Sequence, residues 1–205
     1  MIFRHTPEQL MVRDMVRDFV AHEIRPRVKD YERKGEFPFA VIAKIAELGL
    51  AAPSIPEKYS GGGVDSVAYC LALEEIAKVC ASTAVTISVN NSVCCAPILA
   101  FGSEEQKARY LVPCAKGEFL GGFALTEPGA GSDTGALKTR AVRDAGGGYV
   151  LNGTKAWITN AGVGKLFVTI AVTDPAAGSR GTTAFLIEDS FPGFRVSKEE
   201  DKLGL

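Results

Sequence analysis

The period of the apolar residues changes part-way along the chain, and this change constrains the fold more than any other feature. In the first half, apolar residues recur at helical spacing, as at Val12, Val16 and Val20. In the second half, apolar residues follow the period of two that is typical of strands. We therefore predict an α+β chain, with an all-α domain over residues 1–118 and a domain of mostly antiparallel strands over residues 119–205.

Capping residues indicate where the helices of the first half begin. Thr6 and Ser103 each open a capping box, with a glutamine three residues later, and Asp65 can cap another helix. Pro26 interrupts the first apolar stripe and predicts a kink in that helix. A second helix is predicted after Pro38.

Residues 82–102 are compatible with two structures. Val85, Ile87 and Val89 favour a strand by their intrinsic propensity. The length of the segment and the glycine at its end, Gly102, favour a buried helix. These residues alone leave both structures open.

Several segments of the second half have the pattern of strands. Asn152-Gly153 lies between residues 149–151 and 156–158, and this arrangement predicts a hairpin. Further strands are predicted within residues 119–125, 167–172 and 183–187.

Charge and hydropathy exclude several classes of protein. The 205 residues include 23 basic and 24 acidic side chains, for a net charge of -1, so nucleic acid is not an expected partner. No apolar run approaches about 20 residues, and the N-terminus has no signal-peptide core. We therefore expect no membrane span and a cytoplasmic location.

The cysteines and histidines do not have the spacing of a metal site. Five cysteines form no CxxC pair, and the chain has only two histidines. We expect no bound metal and interpret the cysteines as buried or partly buried free thiols.

Residues 123–133, FALTEPGAGSD, form a segment rich in glycine, hydroxyl and acidic side chains. Gly129 and Gly131 would expose backbone N–H groups to a planar or phosphorylated ligand, and Thr126 and Ser132 would add hydroxyl donors. A surface turn explains the same composition without any ligand. These residues alone do not decide between the two.

The segment KAWITN, residues 155–160, contains the only tryptophan of the sequence. Trp157 is compatible with packing in the core. It is also compatible with a wall against a flat aromatic ligand, whose edge Thr159 would bind.

Together these motifs resemble the acyl-CoA dehydrogenase family. SVNNSV with the following PILAFGSEEQK is most similar to the short-chain, butyryl-type members. The resemblance covers the whole chain and implies a helix over residues 82–102. Its main motifs are FALTEPGAGSD at 123–133, LNGTKAWITN at 151–160 and KEEDKLGL at 198–205.

The resemblance also implies an architecture. It adds to the all-α domain, residues 1–118, a middle domain of antiparallel barrel or sandwich type, residues 119–205, that binds FAD and acyl-CoA. Members of the family continue into a C-terminal helical bundle, which we expect to be absent from this chain.

Roles for individual residues follow from the same resemblance. Thr126 would contact the N1/O2 side of the flavin, where reduction places negative charge that N–H and O–H donors stabilise. Thr159 would lie near flavin N5, and Ser132 would also touch the CoA part of the substrate. The implied cofactor-binding residues are Phe123, Ala124, Leu125, Thr126, Gly131, Ser132, Trp157, Ile158 and Thr159.

The implied reaction is the FAD-dependent α,β-dehydrogenation of a short-chain acyl-CoA in fatty acid β-oxidation. A carboxylate takes the α-proton while a hydride passes from the β-carbon to the flavin. The implied partners are the acyl-CoA substrate and electron-transfer flavoprotein, and the intact members of the family form homotetramers.

The catalytic base is expected beyond Leu205, in the family's helical bundle. Glu127 matches a glutamate of the loop motif rather than the base. We therefore expect no catalytic residue within these 205 residues and no activity of this piece alone.

Two alternatives remain open at this point. An acyl-CoA oxidase or a flavin monooxygenase on the same scaffold is compatible with the same motifs. A non-catalytic fragment that binds acyl-CoA or flavin is compatible with them too.

Overall fold

A computed structural model describes residues 4–200 and residue 202. Residue 201 and residues 203–205, which belong to the KEEDKLGL motif, lie outside the described residues, as do residues 1–3. The described chain separates into two compact units, a helical unit up to Leu120 and a sheet unit over Gly121–Glu200.

The helical unit contains eight α-helices among the described residues. Helix α1 continues through the π-helical turn Val20–Ile24, α5 continues into α6 through the π-helical turn Asn90–Cys95, and α7 continues into α8 through Lys107–Leu111. Helix α1 packs against α4, and α4 packs against α5. The bounds are α1 Pro7–Phe19, α2 Val28–Lys34, α3 Phe39–Glu47, α4 Ser66–Ala77, α5 Ala81–Val89, α6 Ala96–Phe101, α7 Glu104–Gln106 and α8 Val112–Ala115.

The predicted helix starts are confirmed by their hydrogen bonds. Thr6 and Ser103 form complete capping boxes with Gln9 and Gln106. The carboxylate of Asp65 accepts hydrogen bonds from two backbone N–H groups of the first turn of α4. The start of α3 after Pro38 is also confirmed. At Pro26, where a kink was predicted, a turn over residues 25–27 separates the first helix from α2.

Residues 82–102 form a helix, as the family resemblance implied. The continuous stretch Ala81–Phe101 has 21 residues and contains an 18-residue window with a mean hydropathy of 1.5, so by length and composition alone it is apolar enough to cross a membrane. The expectation that no apolar run approaches this length was therefore wrong. Its serine, threonine and asparagine residues interrupt the apolar pattern in sequence but not the helix.

The contacts of this stretch are those of a core helix, which passes the same length and hydropathy test. Asn90 is fully buried, and its Nδ2 donates to the backbone oxygen of Ala51 at 2.9 Å. Asn91 Oδ1 accepts hydrogen bonds at 3.0 Å from the backbone N–H and the hydroxyl of Ser54. The stretch thus binds the loop after α3 through buried amides.

The five cysteines are free thiols, as predicted, and Cys80 is partly buried. The expectation that all five are at least partly buried was wrong for Cys70, which is exposed. Cys94, Cys95 and Cys114 are buried around Asn90, whose Oδ1 accepts a hydrogen bond from Cys114 Sγ at 2.9 Å. The contact with Cys114, together with burial, raises the pKa of the Cys94 thiol well above its ordinary value.

The sheet unit is a five-stranded mixed sheet in which β4 is central. Strand β4 pairs with β5 in antiparallel fashion and with β1 and the first residue of β2 in parallel fashion. Strands β2 and β3 form an antiparallel hairpin. The bounds are β1 Gly121–Ala124, β2 Arg140–Arg143, β3 Tyr149–Asn152, β4 Leu166–Val172 and β5 Thr182–Glu188.

The prediction of an antiparallel barrel or sandwich is corrected by this topology. Strand β1 runs parallel to β4, with Gly121 opposite Leu166 and Ala124 opposite Thr169. Parallel pairing becomes possible because a long connection, rather than a tight turn, separates the two strands.

The predicted hairpin at Asn152-Gly153 was wrong. Strand β3 ends at Asn152, and residues 153–158 form no strand. The chain instead reverses one turn earlier, where Asp144 Oδ1 accepts hydrogen bonds from the N–H groups of Gly146 and Gly148. Gly153 has another role: a Cβ at this position would come within 2.7 Å of the Cα of Thr139, so glycine permits a close approach of two backbones.

Candidate functional site

The segment FALTEPGAGSD begins within strand β1 and continues as a loop at one end of the sheet. Ala124 is buried, whereas Phe123, Leu125 and Thr126 are half-buried. Since β1 is paired with the buried strand β4 along its whole length, the start of the loop is held by the core of the unit.

The loop after β1 is closed by a tight turn. The backbone N–H of Glu127 donates to the oxygen of Ala130 at 3.0 Å, and the N–H of Ala130 donates back at 3.1 Å. Pro128 and Gly129 form the exposed tip, and Gly131 and Ser132 beyond it are also exposed. The turn therefore presents its glycine-rich side to solvent.

Two glycines of this loop are not required by the packing of the chain. A Cβ added to Gly129 or Gly131 would meet nothing within 4 Å, and neither residue has a positive φ. At Gly122, by contrast, a Cβ would lie 2.8 Å from the backbone oxygen of Thr159. The open side of Gly129 and Gly131 leaves space for a ligand to approach the backbone.

The segment KAWITN runs alongside β1 in the opposite direction. The N–H of Ala156 donates to the oxygen of Thr126 at 2.9 Å, and Asn160 Nδ2 donates to the oxygen of Gly121 at 2.9 Å. The two motif segments, remote in sequence, are thus neighbours at one end of the sheet.

Trp157 is not a core residue. Its side chain is 64% exposed, and its backbone has a φ of 61°, in the left-handed region. Such a conformation costs about 1–3 kcal/mol for a bulky residue, and strain of this kind clusters at functional sites. The packing alternative for the tryptophan is thereby removed, and the exposed indole belongs to the segment whose Ala156 N–H binds the oxygen of Thr126.

Hydroxyl groups of both segments remain available for a ligand. Thr126 and Thr159 are half-buried and Ser132 is exposed. Within residues 4–200 and 202, no side-chain hydrogen bond involves any of these three hydroxyls. Together with Trp157, they are the groups of this region that can bind a polar aromatic molecule.

A buried ion pair joins the two segments. Lys155 Nζ lies 2.9 Å from Glu127 Oε1 and donates a second hydrogen bond of 2.9 Å to the backbone oxygen of Leu125. The two side chains are only 11% and 6% exposed. The other carboxylate oxygen accepts from the N–H of Lys138 at 2.7 Å, and Oε1 also accepts from the N–H of Thr139 at 2.9 Å.

These contacts determine the protonation of Glu127. Burial acts to raise the pKa of the carboxyl, but the donors around it outweigh burial and lower the pKa to about 2. The side chain of Thr139 contributes to this lowering, although its hydroxyl does not reach the geometry of a direct hydrogen bond. A carboxylate of such low pKa, with both oxygens occupied, is a weak base.

Sequence reasoning did not identify Lys155 or the backbone of residues 138–139 as parts of the site. Lys155 lies between Thr154 and Ala156, and this local sequence has no pattern that indicates burial of the lysine. A hint was available, because Glu127 is an acid inside an otherwise uncharged stretch that follows a buried strand. Within the described part of the chain, no group of three or more His, Cys, Asp or Glu side chains could hold a metal ion.

Two family models match almost the whole chain. The model of the acyl-CoA dehydrogenase N-terminal domain matches residues 6–118, and that of the middle domain matches residues 122–205. The chain belongs to the acyl-CoA dehydrogenase family. The two segments that meet at the end of the sheet, FALTEPGAGSD and KAWITN, both lie in the part matched by the middle-domain model.

Individual acyl-CoA dehydrogenases are similar over nearly the full chain. The short-chain specific acyl-CoA dehydrogenase of Clostridium acetobutylicum is 44% identical over 205 residues, covering 100% of this chain and 54% of that protein. The structure of butyryl-CoA dehydrogenase from Megasphaera elsdenii matches with a TM-score of 0.92 and 40% identity, over 98% of this chain and 54% of that chain.

A second similar structure is that of an acyl-CoA dehydrogenase from Bacillus anthracis complexed with FAD. It matches with a TM-score of 0.87 and 36% identity, over 97% of this chain and 33% of that chain. The chain spans about half the length of the curated relatives it matches.

Proposed function

We propose that this chain supplies the flavin- and substrate-binding part of an FAD-dependent acyl-CoA dehydrogenase that acts on short-chain acyl-CoA thioesters. The proposal is supported by family membership and by the names of two similar proteins, one short-chain specific and one a butyryl-CoA dehydrogenase. FAD is supported by the similar enzyme that was solved with it.

One observation carries the proposal: an exposed indole in a strained backbone lies on the segment that is hydrogen-bonded to the glycine-rich loop. Trp157 and the loop are joined through Ala156 and Thr126, and neither side of this arrangement is explained by core packing. Exposed aromatic surface together with free hydroxyl and amide donors suits a planar, polar ring system.

The residues present fit FAD. Phe123, Ala124, Leu125 and Thr126 would follow the ring along the end of β1, and Trp157, Ile158 and Thr159 would lie on the opposite segment. Gly131 and Ser132 are exposed where a phosphorylated group can approach the backbone, which suits the pyrophosphate. Ser132 would also contact the CoA part of the substrate.

When bound, FAD would supply the capacity to accept a hydride. The work of this chain would be to orient the ring and to stabilise negative charge with the hydroxyl and N–H of Thr126. Glu127 is a poor proton acceptor because its pKa is low and its oxygens are occupied. The expectation that the catalytic base lies beyond Leu205 stays a prediction.

Partners, assembly and location complete the proposal. We propose acyl-CoA as substrate, electron-transfer flavoprotein as electron acceptor, a homotetramer as the assembly and the cytoplasm as the location. The first three rest on the family resemblance, and the location is the one expected in the sequence analysis.

The proposal is tested by FAD binding and flavin reduction in the whole protein. We expect the purified protein to contain FAD and its flavin absorbance to bleach on anaerobic addition of butyryl-CoA. A protein that purifies colourless and binds no added FAD would contradict the flavin assignment. Bound FAD that no short-chain acyl-CoA reduces would favour a non-catalytic role, and rapid re-oxidation by air would favour an oxidase.

A substitution at Gly131 locates the binding site. Gly131→Val adds a side chain into open space, so the apoprotein should keep its thermal midpoint, whereas steric overlap of about 1–3 kcal/mol should weaken FAD binding about fivefold or more. The matched control is Gly146→Val in the hairpin turn, which should leave the FAD dissociation constant unchanged. Equal affinity in Gly131→Val and wild type would place the flavin elsewhere.

A further inference from the structure

We propose that the buried Glu127–Lys155 ion pair is a positioning device for the flavin: it fixes the Thr126 loop against the segment carrying Trp157 and Thr159. This inference rests on the proposed FAD function and adds residues that contact the cofactor's binding segments rather than the cofactor itself. Neither partner is among the residues assigned to FAD above.

The contacts of Lys155 surround Thr126 on both sides. Lys155 Nζ binds the backbone oxygen of Leu125, which precedes Thr126, and the carboxylate of Glu127, which follows it. The oxygen of Thr126 itself accepts from the N–H of Ala156. Three consecutive residues of the loop are therefore held by two consecutive residues of the other segment.

Glu127 extends the same connection to the sheet. Its carboxylate accepts from the N–H groups of Lys138 and Thr139, which immediately precede β2. Gly153, two residues before Lys155, lies directly against Thr139. The Glu127 side chain thus connects the loop, the start of β2 and the segment that contains Lys155.

Stability alone is a weak reason for such a pair. Desolvation offsets most of the attraction between two buried charges, and apolar side chains of similar volume stabilise a fold equally well. The pair instead fixes geometry, because hydrogen bonds from donors at fixed positions define the distance between the Thr126 loop and the Lys155 segment. A site whose walls are held in place beforehand loses less conformational freedom when its ligand binds.

The test compares FAD binding and apoprotein stability in variants of the whole protein. Lys155→Met removes the cation, and we expect the FAD dissociation constant to rise by about tenfold or more at a temperature well below unfolding. The matched control is Lys165→Met, since Lys165 forms an exposed pair with Asp189 at 2.7 Å in the same unit. Its dissociation constant should stay within about twofold of wild type.

Two further variants separate positioning from stability. Lys155→Arg keeps the charge and should recover most of the affinity. In the double variant Glu127→Gln/Lys155→Met no unpaired charge is buried, so the thermal midpoint of the apoprotein should recover relative to Lys155→Met while FAD binding stays weak. If Lys155→Met does not fold, FAD binding is measured in the double variant instead.

The outcomes distinguish this inference from the function on which it rests. Wild-type affinity for FAD in Lys155→Met, or in the double variant, overturns the positioning role and leaves the flavin assignment intact. Recovery of affinity in parallel with stability in the double variant also overturns it, because the pair would then act only on the fold. A wild-type protein that binds no FAD overturns the proposed function itself.

Discussion

Glu127 shows how the surroundings of a single side chain decide its chemistry. In sequence it is an acid next to a proline and two glycines, which suits an exposed turn. In the structure it is buried, paired with Lys155 and bonded to two backbone N–H groups. The same residue type that could act as a base elsewhere is here a fixed acceptor.

The low pKa of Glu127 predicts an acid-dependent loss of stability. Its folded pKa, about 2, lies below the ordinary 4.5, so the carboxylate stabilises the folded state fully above about pH 4.5 and this contribution is lost as the pH falls towards 2. Between about pH 5 and pH 3, wild type should lose about 2 kcal/mol of unfolding free energy relative to Glu127→Gln.

Urea unfolding of the apoprotein at several pH values, followed by circular dichroism, checks this prediction. Asp189→Asn is the control, because its partner Lys165 is exposed. Parallel pH profiles for wild type and Glu127→Gln would show that the carboxyl titrates normally and that its hydrogen bonds do not stabilise the charged form.

At the scale of elements, the sequence was most informative where local chemistry decides the structure. The capping residues Thr6, Asp65 and Ser103 start helices because their oxygens satisfy N–H groups only a few residues away. The strands predicted within residues 119–125, 167–172 and 183–187 are confirmed as β1, β4 and β5.

Predictions failed where a distant contact overrides the local signal. Asn152-Gly153 has the sequence of a hairpin, yet its glycine serves the close approach to Thr139. The parallel pairing of β1 with β4 and the pairing of Lys155 with Glu127 depend on tertiary contacts that no periodicity reports. The meeting of the two motif segments was accessible only through the family resemblance.

The helix Ala81–Phe101 depends on its buried amides. Asn90→Ala would remove the hydrogen bonds to the backbone of Ala51 and from Cys114 and leave a cavity, so we expect a loss of about 3 kcal/mol in unfolding free energy. Urea unfolding followed by circular dichroism measures it. Asn152→Ala, an exposed asparagine in β3, should change stability by less than about 0.5 kcal/mol, and an equal effect of both substitutions would contradict the role of the buried amide.

At the scale of the whole molecule, the two units have different tasks in the proposed enzyme. The residues assigned to FAD all lie between Phe123 and Thr159, within the sheet unit. The helical unit contains a core that includes α5 and the buried asparagines of the following π-helical turn, Asn90 and Asn91. A ligand that binds only one unit should stabilise that unit first.

Hydrogen exchange provides the corresponding measurement. At FAD concentrations about 100-fold above the dissociation constant, binding contributes about 2.7 kcal/mol, so peptides spanning residues 123–133 and 153–160 should exchange much more slowly. Peptides from α1 serve as the internal control. Slowed exchange that is confined to α1, with none in the two motif segments, would contradict the assignment.

The exposed position of Trp157 has a practical consequence. It is the only indole among these 205 residues, and it lies where the proposed flavin would bind. Excitation energy passes by resonance from an indole to a flavin in contact with it, so FAD binding would quench the fluorescence of Trp157. The fraction of protein with bound FAD could then be followed in real time by intrinsic fluorescence, without any attached dye.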